Sequence, residues 1–195
     1  MEWIGAVRYW LAVALYASLP AAILYWYLIH PFTAFWRRLG LKLTFLLVGA
    51  VFAAVVLLLA RQHQRVLAVS YPFSWPLATA GLALYAVAVA LERACRRHLK
   101  FAILAGVPQI GGDPGRLLTE GIYSRVRNPR YLSGIFAIAG FALVLNYPAL
   151  YVAFALFVPA VYVVILLEER ELKDRFGAEY EDYLRRVPRL FPKLG

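Results

Sequence analysis

The sequence has only one cysteine and three histidines among its 195 residues. One cysteine excludes an internal disulfide and any metal cluster held by several cysteines. The histidines, His30, His63 and His98, are too few to hold two irons, which excludes the multi-histidine di-iron boxes of membrane desaturases. We therefore expect no metal site in this protein.

Charge is also scarce. Only 16% of the residues are charged, against roughly 25% in soluble domains. Hydrophobic residues make up 63% of the chain, and the mean hydropathy is +0.65. Acidic residues are scarcer than basic ones: the chain has 11 Asp and Glu and 21 Lys and Arg, which gives a net charge of +10. This composition predicts a membrane protein whose charges lie outside the hydrocarbon.

Five uncharged or nearly uncharged runs approach the length of about 20 residues that a helix needs to cross a bilayer. They cover residues 9–29, 43–60, 74–91, 131–144 and 150–167. Asn146-Tyr147-Pro148 separates the last two runs and predicts a tight turn, because Asn tolerates left-handed geometry and Pro disfavours helix in the residue before it. We expect an all-α, polytopic membrane protein of about five transmembrane helices, ending in a helical hairpin and an amphipathic tail helix.

The basic residues are distributed unevenly between the two sides of the predicted membrane. Eighteen of the 21 Lys and Arg fall on one side. The positive-inside rule then places the amino terminus outside and the carboxyl terminus in the cytoplasm, at the plasma membrane if the source is prokaryotic. The first run lacks a cleavage site and is expected to be a retained span. The charge indicates orientation and contact with anionic phospholipids, not nucleic-acid binding.

We expect one integral membrane domain over residues 1–195. Residues 1–91 hold three spans without a motif, and residues 92–195 hold the cytoplasmic loop, the hairpin and the tail, where the chemistry should lie. No ionisable residue falls inside a predicted span, which disfavours an ion-coupled transporter. The glycine cluster at 111–115 lacks the remaining residues of a phosphate-binding loop and predicts a plain turn.

The tail has a helical pattern of its own. From Glu168 onwards, apolar residues recur every three or four positions, at Leu172, Phe176, Tyr180 and Tyr183 or Leu184. This spacing marks one face of a helix. Glu168 lies on the same face where the last span leaves the bilayer, and a carboxylate at that depth is costly without a partner. We expect it to contact a ligand or, alternatively, an internal partner such as Arg127.

The other end of the hairpin begins with residues 121–134, Gly-Ile-Tyr-Ser-Arg-Val-Arg-Asn-Pro-Arg-Tyr-Leu-Ser-Gly. Pro129 suits the first turn of a helix, and Asn128 suits its N-cap. Amide groups at such a helix start can bind an anion, although Arg and Tyr could also simply anchor the chain at the membrane interface. Because the hairpin turn is short, this helix start and Glu168 should lie at the same level of the membrane. A zwitterionic small molecule would suit such a site.

These residues, together with Glu-Glu-Arg-Glu-Leu-Lys-Asp-Arg-Phe-Gly-Ala-Glu-Tyr-Glu-Asp-Tyr at 168–183 and Arg-Val-Pro-Arg-Leu-Phe-Pro at 186–192, resemble the isoprenylcysteine carboxyl methyltransferase family and the related phospholipid methyltransferases. The resemblance covers about the last 80 residues. It implies S-adenosylmethionine as cofactor, bound at the cytoplasmic face, and an acceptor that enters from the bilayer.

The resemblance also implies a set of cofactor contacts, taken position by position. They are Gly121, Tyr123, Asn128, Pro129, Tyr131, Gly134, Glu168 and Glu169. Three arginines, Arg125, Arg127 and Arg170, are predicted to hold an anionic acceptor or a phosphate headgroup in the catalytic site.

Two positions depart from the family pattern. Asn128 stands where the family usually has His, and Val164 stands where the carboxyl methyltransferase branch tends to have Arg. The acceptor therefore stays open between a prenylcysteine carboxylate and a phospholipid amine. Two other functions also stay open: an NADPH-dependent reductase of the sterol-reductase type, and a non-catalytic membrane scaffold.

Overall fold

The computed structural model describes residues 2–98 and 116–192. The predicted turn at 111–115 lies outside the described residues. Seven α-helices and one short 3-10 helix are present in the described part of the chain. They are α1 (Glu2–Ile29), α2 (Thr33–Ala60), α3 (His63–Val66), α4 (Trp75–Arg96), the 3-10 helix Gly121–Ser124, α5 (Pro129–Leu145), α6 (Pro148–Phe176) and α7 (Ala178–Arg186).

Four of these helices, α1, α2, α4 and α6, are long and apolar enough to cross a membrane, and α5 is a shorter apolar helix. Together they correspond to the five predicted runs, and the all-α, polytopic fold class is confirmed. The helices extend beyond the runs at most ends. In α2 the predicted run begins after a kink at Gly40, whose φ of 77° lies in the left-handed region that favours glycine.

The central packing contact joins α4 and α5, which run antiparallel. Gly81 and Gly140 face each other so closely that a Cβ on Gly81 would lie 2.5 Å from the Gly140 carbonyl oxygen. A Cβ on Gly140 would lie 2.6 Å from the Gly81 carbonyl oxygen. The Ser133 hydroxyl donates to the Ala88 carbonyl at 2.9 Å near the carboxyl end of α4. This crossing brings the end of α4 beside the start of α5.

The hairpin turn between α5 and α6 forms as predicted. Asn146 adopts the left-handed conformation with a φ of 54°, and α6 begins at Pro148. The Asn146 side chain donates to the Pro72 carbonyl at 2.8 Å. Arg8 in α1 covers the end of α5, since its Nη2 atom donates to the Leu145 carbonyl at 2.7 Å. These contacts fix the end of the bundle opposite the candidate site.

The tail differs from the predicted single helix that starts near Glu168. Its first half is the uninterrupted continuation of α6, which ends at Phe176. Gly177, with a φ of 53°, then redirects the chain into α7. The predicted apolar face does assemble, because Tyr180 and Tyr183 form a buried cluster with Leu117. A repeat of three to four residues shows which side chains share a face, but it does not show a change of direction at one glycine.

Candidate functional site

The end of the bundle that holds the close of α4, the start of α5 and the polar part of α6 is here called the basic end. Glu169 on α6 is the centre of its hydrogen-bond network and is 7% exposed. Its Oε1 atom accepts from Asn128 Nδ2 at 3.0 Å and lies 3.1 Å from Arg127 Nη2. Its Oε2 atom accepts from Arg189 Nη2 at 2.8 Å. Two guanidinium groups thereby balance the charge of a buried carboxylate, and one amide donates a further hydrogen bond to it.

The donors of Arg127 are committed within this network. Its Nε and Nη2 atoms face Glu169, and its Nη1 atom donates to the carbonyls of Leu184 and Val187 at 3.0 and 2.6 Å. The side chain is 9% exposed. The geometry therefore gives Arg127 an internal structural contact, whereas the sequence suggested that it holds an acceptor.

The end of the tail runs beside the start of α5 and pairs with it through the backbone. The Arg127 amide donates to the Pro188 carbonyl at 2.9 Å, and the Asn128 amide donates to the Arg189 carbonyl at 3.1 Å. Asn128 is the N-cap residue of α5 by position, but it makes no side-chain cap hydrogen bond. Its side chain is used for Glu169 instead, which corrects the expected capping role.

Glu168 points to a different neighbour from Glu169. Its Oε2 atom accepts a hydrogen bond from the Tyr131 hydroxyl at 2.6 Å. Of the two expectations for Glu168, an internal partner is present, but it is Tyr131 and not Arg127, which pairs with Glu169. No hydrogen bond to the second oxygen of Glu168 is present among the described residues, so that oxygen can accept from a ligand.

A cavity of about 690 Å³ opens beside Tyr131. Residues of α1, α4, α5 and α6 line it, and most of them are apolar. Its charged residues, Glu92, Arg93, Arg96 and Arg130, all belong to the basic end. Gly134 also lines the cavity, and a Cβ there would meet no atom within 4 Å. Two of the predicted cofactor contacts, Tyr131 and Gly134, therefore border this space.

Trp26 of α1 lines the cavity and contacts two side chains, those of Arg130 and His30. The Arg130 guanidinium lies 5.6 Å from the centre of the Trp26 ring, a distance suited to a cation–π contact. The His30 ring stacks on Trp26 with 5.3 Å between ring centres. His30 is in turn held by Glu171, because its Nδ1 atom lies 2.8 Å from Glu171 Oε2. Carboxylate, imidazole and indole thus form a support for Arg130.

The other predicted cofactor contacts, Gly121, Pro129 and Tyr123, do not line the cavity. Gly121 has a φ of 61°, and a Cβ there would collide with the His98 ring. The backbone conformation and this close ring therefore account for glycine at position 121 without a contact to the cofactor. Pro129 is fully buried at the start of α5. Tyr123 is buried, and burial raises its pKa well above the ordinary value, with a smaller contribution from Cys95.

The remaining two predicted arginines lie on the surface. Arg125 and Arg170 are both exposed, and neither forms an ion pair with another residue in the described ranges. The structure thus separates the three predicted arginines, one buried in a network and two at the surface. It does not gather them around one ligand.

Sequence reasoning missed several residues of the basic end. Arg189 lies in the tail motif, and the sequence predicts no separate role for it, yet it is a direct partner of Glu169. Trp26 and His30 lie about 100 residues before Arg130 in the sequence, and only the packing of α1 against the hairpin brings them to it. The proline-flanked tail motif was the one signal that could have drawn attention to Arg189.

The fold and site describe an integral membrane protein with a ligand-sized cavity and, at the same end, a hydrogen-bond network around Glu169. Its family follows from sequence comparison: the profile of the phospholipid methyltransferase family matches residues 77–179, more than half of the chain, and the protein belongs to this family. The resemblance seen in the sequence is therefore confirmed.

Individual relatives match over shorter stretches. The chain is 36% identical over 74 residues to protein-S-isoprenylcysteine O-methyltransferase B of Arabidopsis thaliana, covering 37% of this chain and 38% of that protein. It is 42% identical over 90 residues to methanethiol S-methyltransferase 2 of Bradyrhizobium diazoefficiens, covering 44% of this chain and 32% of that protein.

A third relative has a different kind of name. The nickel-cobalt-cadmium resistance protein NccN of Alcaligenes xylosoxydans xylosoxydans is 33% identical over 84 residues, covering 43% of this chain and 39% of that protein. The chain thus spans less than two fifths of the length of each of these relatives. No solved structure matches the chain.

Proposed function

We propose that this protein is a membrane methyltransferase that uses S-adenosylmethionine to methylate a lipid or lipid-linked acceptor. Family membership supports the reaction class. The observation that carries the proposal is the Tyr131–Glu168 pair: Tyr131 lines the cavity, and its partner Glu168 has one carboxylate oxygen to which no described residue donates. The cofactor, when bound, supplies a methyl group on a sulfonium, which needs alignment and exclusion of water more than acid–base catalysis.

The residues of the basic end suit the methionine part of this cofactor, which carries an ammonium and a carboxylate. The unused oxygen of Glu168 can accept from the ammonium, and Tyr131 holds the other oxygen at 2.6 Å. Gly134 leaves open space next to Tyr131. Glu169 has both oxygens occupied, so we assign it a positioning role and assign the direct contact to Glu168.

Binding of S-adenosylmethionine to the full chain in detergent, measured by calorimetry, tests the proposal. Replacing Glu168 with Gln removes a charge-assisted hydrogen bond, and we expect the affinity to fall by about tenfold to a hundredfold. Glu179→Gln is the matched control, because Glu179 is an exposed residue of α7 away from the cavity. Binding of NADPH in place of S-adenosylmethionine would refute the proposal.

The acceptor is identified in a second experiment. Membrane extract is incubated with the purified protein and S-adenosylmethionine carrying a radiolabelled methyl group, and the lipids are then separated. We expect label in a lipid fraction with wild-type protein and a large loss of label with Glu168→Gln. Protein that binds the cofactor but labels no lipid or lipid-linked product would limit the proposal to cofactor binding.

A further inference from the structure

One part of the cavity wall belongs to α1. Leu19, Ile23 and Trp26 line the cavity, and their spacing of three or four residues places them on one face of the helix. Another part belongs to α4 and α5, which pack against each other at the close crossing of Gly81 and Gly140. The shape of the cavity therefore depends on what holds α1 at its distance from the hairpin of α5 and α6.

Side-chain contacts tie the last part of α1 to α6. The Tyr27 hydroxyl donates to the Ala160 carbonyl at 3.2 Å. His30 is the first residue after α1, and its Nδ1 atom lies 2.8 Å from Glu171 Oε2. The His30 side chain is 1% exposed. Because an ionised carboxylate only accepts hydrogen bonds, Nδ1 carries the proton of this contact. It holds the end of α1 at the basic end of the bundle.

The neighbours of His30 continue this contact to the candidate site. The His30 ring stacks on Trp26, and the Trp26 ring lies against the guanidinium of Arg130 on α5. Arg130 precedes Tyr131 in the chain, and the Tyr131 hydroxyl donates to Glu168 at 2.6 Å. The end of α1 thus lies between α6 and the first turn of α5, next to the residues that we assign to the cofactor.

Glu168 and Glu171 complete this set of contacts on α6. They lie three residues apart, so they are neighbours across one turn of the helix. Glu168 meets α5 directly through Tyr131, whereas Glu171 meets it through His30 and Trp26. The distance between α1 and the turn of α6 that carries Glu168 is therefore set at Glu171.

Glu171 has fewer partners than its neighbour Glu169, which accepts from two guanidinium groups and one amide. Within residues 2–98 and 116–192, its one hydrogen-bond partner is His30. Its other oxygen lies 3.7 Å from Arg175 Nη1, beyond hydrogen-bond distance. A single buried pair of this kind adds little net stability, because removing both groups from water offsets their attraction. Its main effect is to fix the place where α1 ends.

We propose that Glu171 is a positioning residue for methyl transfer: through His30 it fixes Trp26, and with it the α1 wall, against the part of the cavity that Tyr131 borders. This inference rests on the proposed function and adds a residue to it. Glu171 and His30 are not among the described residues that line the cavity, so they act on a ligand through Trp26. Alignment dominates a transfer from a sulfonium, and a misplacement of about 1 Å can cost about a hundredfold in rate.

Fluorine NMR reports on Trp26 without any turnover. The chain has five tryptophans, so full-length protein labelled with 5-fluorotryptophan gives five signals, and the signal that Trp26→Phe removes belongs to Trp26. Glu171→Leu removes the acceptor for His30, and we expect the Trp26 signal to move by more than its line width. The signals of Trp3 and Trp75, both exposed towards the opposite end, should stay in place. An unmoved Trp26 signal would overturn the inference.

Two matched variants separate this role from a general loosening of α1. Glu171→Gln keeps an oxygen that can accept from His30, so the Trp26 signal should return towards its wild-type position. Tyr27→Phe removes a hydrogen bond between the same two helices without touching His30, and it should leave the Trp26 signal in place. A movement in Tyr27→Phe as large as that in Glu171→Leu would contradict a specific role for Glu171.

His30→Phe tests the route of the effect, because Phe keeps an aromatic ring beside Trp26 but offers no nitrogen to Glu171. The measured quantity is the rate of transfer of labelled methyl groups from saturating S-adenosylmethionine into lipids of a membrane extract. The rate of the double variant His30→Phe/Glu171→Leu should equal that of the slower single variant, since both changes break one contact. Rate losses that multiply would exclude the route through His30.

Rate and cofactor affinity should respond differently to Glu171→Leu. We expect the rate to fall by about tenfold or more, with partial recovery in Glu171→Gln. Affinity for S-adenosylmethionine should stay within about threefold of the wild-type value, because Glu168 keeps its place on α6. The melting temperature should stay within about 4 °C of the wild-type value. An unchanged rate, or a loss of affinity as large as the loss of rate, would overturn the positioning role.

The two proposals fail in different measurements. Wild-type protein that does not bind S-adenosylmethionine would refute the proposed function, whatever the Trp26 signal does. Cofactor binding and methyl transfer by the wild type, together with a Trp26 signal and a rate that Glu171→Leu leaves unchanged, would refute the role of Glu171 alone.

Discussion

Arg127 and Glu169 lie 42 residues apart in the chain and form an ion pair with 3.1 Å between Nη2 and Oε1, largely shielded from water. Arg189 completes the group from the tail. One buried carboxylate thus joins the start of α5, the polar part of α6 and the end of the described tail. The contact explains how three short motifs, well separated in sequence, form one structural unit.

Replacing Glu169 with Gln should destabilise the protein strongly. The substitution leaves Arg127 and Arg189 without their shared counter-charge, and breaking a buried ion pair costs about 3–5 kcal/mol. Thermal unfolding in detergent, followed by size-exclusion chromatography, measures the effect, with Glu179→Gln as control. A variant that unfolds at the wild-type temperature would show that this network is not a source of stability.

The close crossing of α4 and α5 predicts a second effect on stability. Gly140→Ala places a methyl group 2.6 Å from the Gly81 carbonyl oxygen, which is too close, so the helices must separate, at a cost of about 1–3 kcal/mol. Gly49→Ala is the matched control, since a Cβ there meets nothing within 4 Å. Equal stability of the two variants would contradict the observed approach of the helices.

Tyr183 predicts a dependence on alkaline pH. Burial raises its pKa to about 12, with Arg127 opposing the rise, and its hydroxyl donates to the Tyr123 carbonyl at 2.6 Å. The unfolded chain releases this proton near pH 10, before the folded chain does, so the contribution of Tyr183 is complete below pH 10 and declines as the pH rises towards 12.

Tyr183→Phe tests this dependence. At pH 8 the variant should be less stable than the wild type by about 1 kcal/mol, the net value of one hydrogen bond. At pH 11.5 the difference should become smaller, because the variant has no proton to lose at this position. Denaturant unfolding at both pH values measures the two differences. A difference that stays constant or widens at high pH would contradict the assignment.

Arg8 provides a test at the opposite end of the bundle. It donates to the Leu145 carbonyl at 2.7 Å and to the Tyr71 carbonyl at 3.0 Å, so it caps the end of α5. Arg8→Gln should lower stability by about 1 kcal/mol and leave S-adenosylmethionine affinity unchanged. Arg65→Gln, at an exposed position, is the control. Loss of cofactor binding in Arg8→Gln would show that the two ends are coupled.

The orientation in the membrane also stays a prediction with a direct test. Ser124 lies exposed at the basic end, and Ser70 lies exposed near the opposite end. In a Cys95→Ala background, Ser70→Cys should react with a membrane-impermeant maleimide in intact cells, and Ser124→Cys should react only after the cells are opened. The reverse pattern would place the basic end outside.

Sequence alone predicted the parts of the fold that depend on local composition. The five apolar runs, the left-handed turn at Asn146 and the helix start at Pro129 all follow from the chemistry of neighbouring residues. Side-chain partners could not be predicted in this way. Glu168 and Glu169 are adjacent and identical in type, and only the rotation of α6 decides that one meets Tyr131 and the other meets Arg127.

The same limit applies to the cavity. Arg130 is one of eight basic residues between spans three and four, and nothing in its local sequence distinguishes it from its neighbours. Its contact with Trp26 requires the packing of α1 against α5, which no short-range pattern encodes. The tail was predicted as one helix for a related reason, since a single glycine between two helical stretches does not reveal the new direction.

Because α6 runs without a break from Pro148 to Phe176, the number of residues in it determines the direction in which its last side chains point. Glu168, Glu169 and Glu171 face three different partners, which lie on α5, in the tail motif and just after the end of α1. Each residue added to an α-helix turns everything beyond it by about 100°. An insertion or deletion of one residue between the hairpin turn and Glu168 would therefore turn all three carboxylates away from their partners at once. The number of residues in this span is as much a part of the site as their identity.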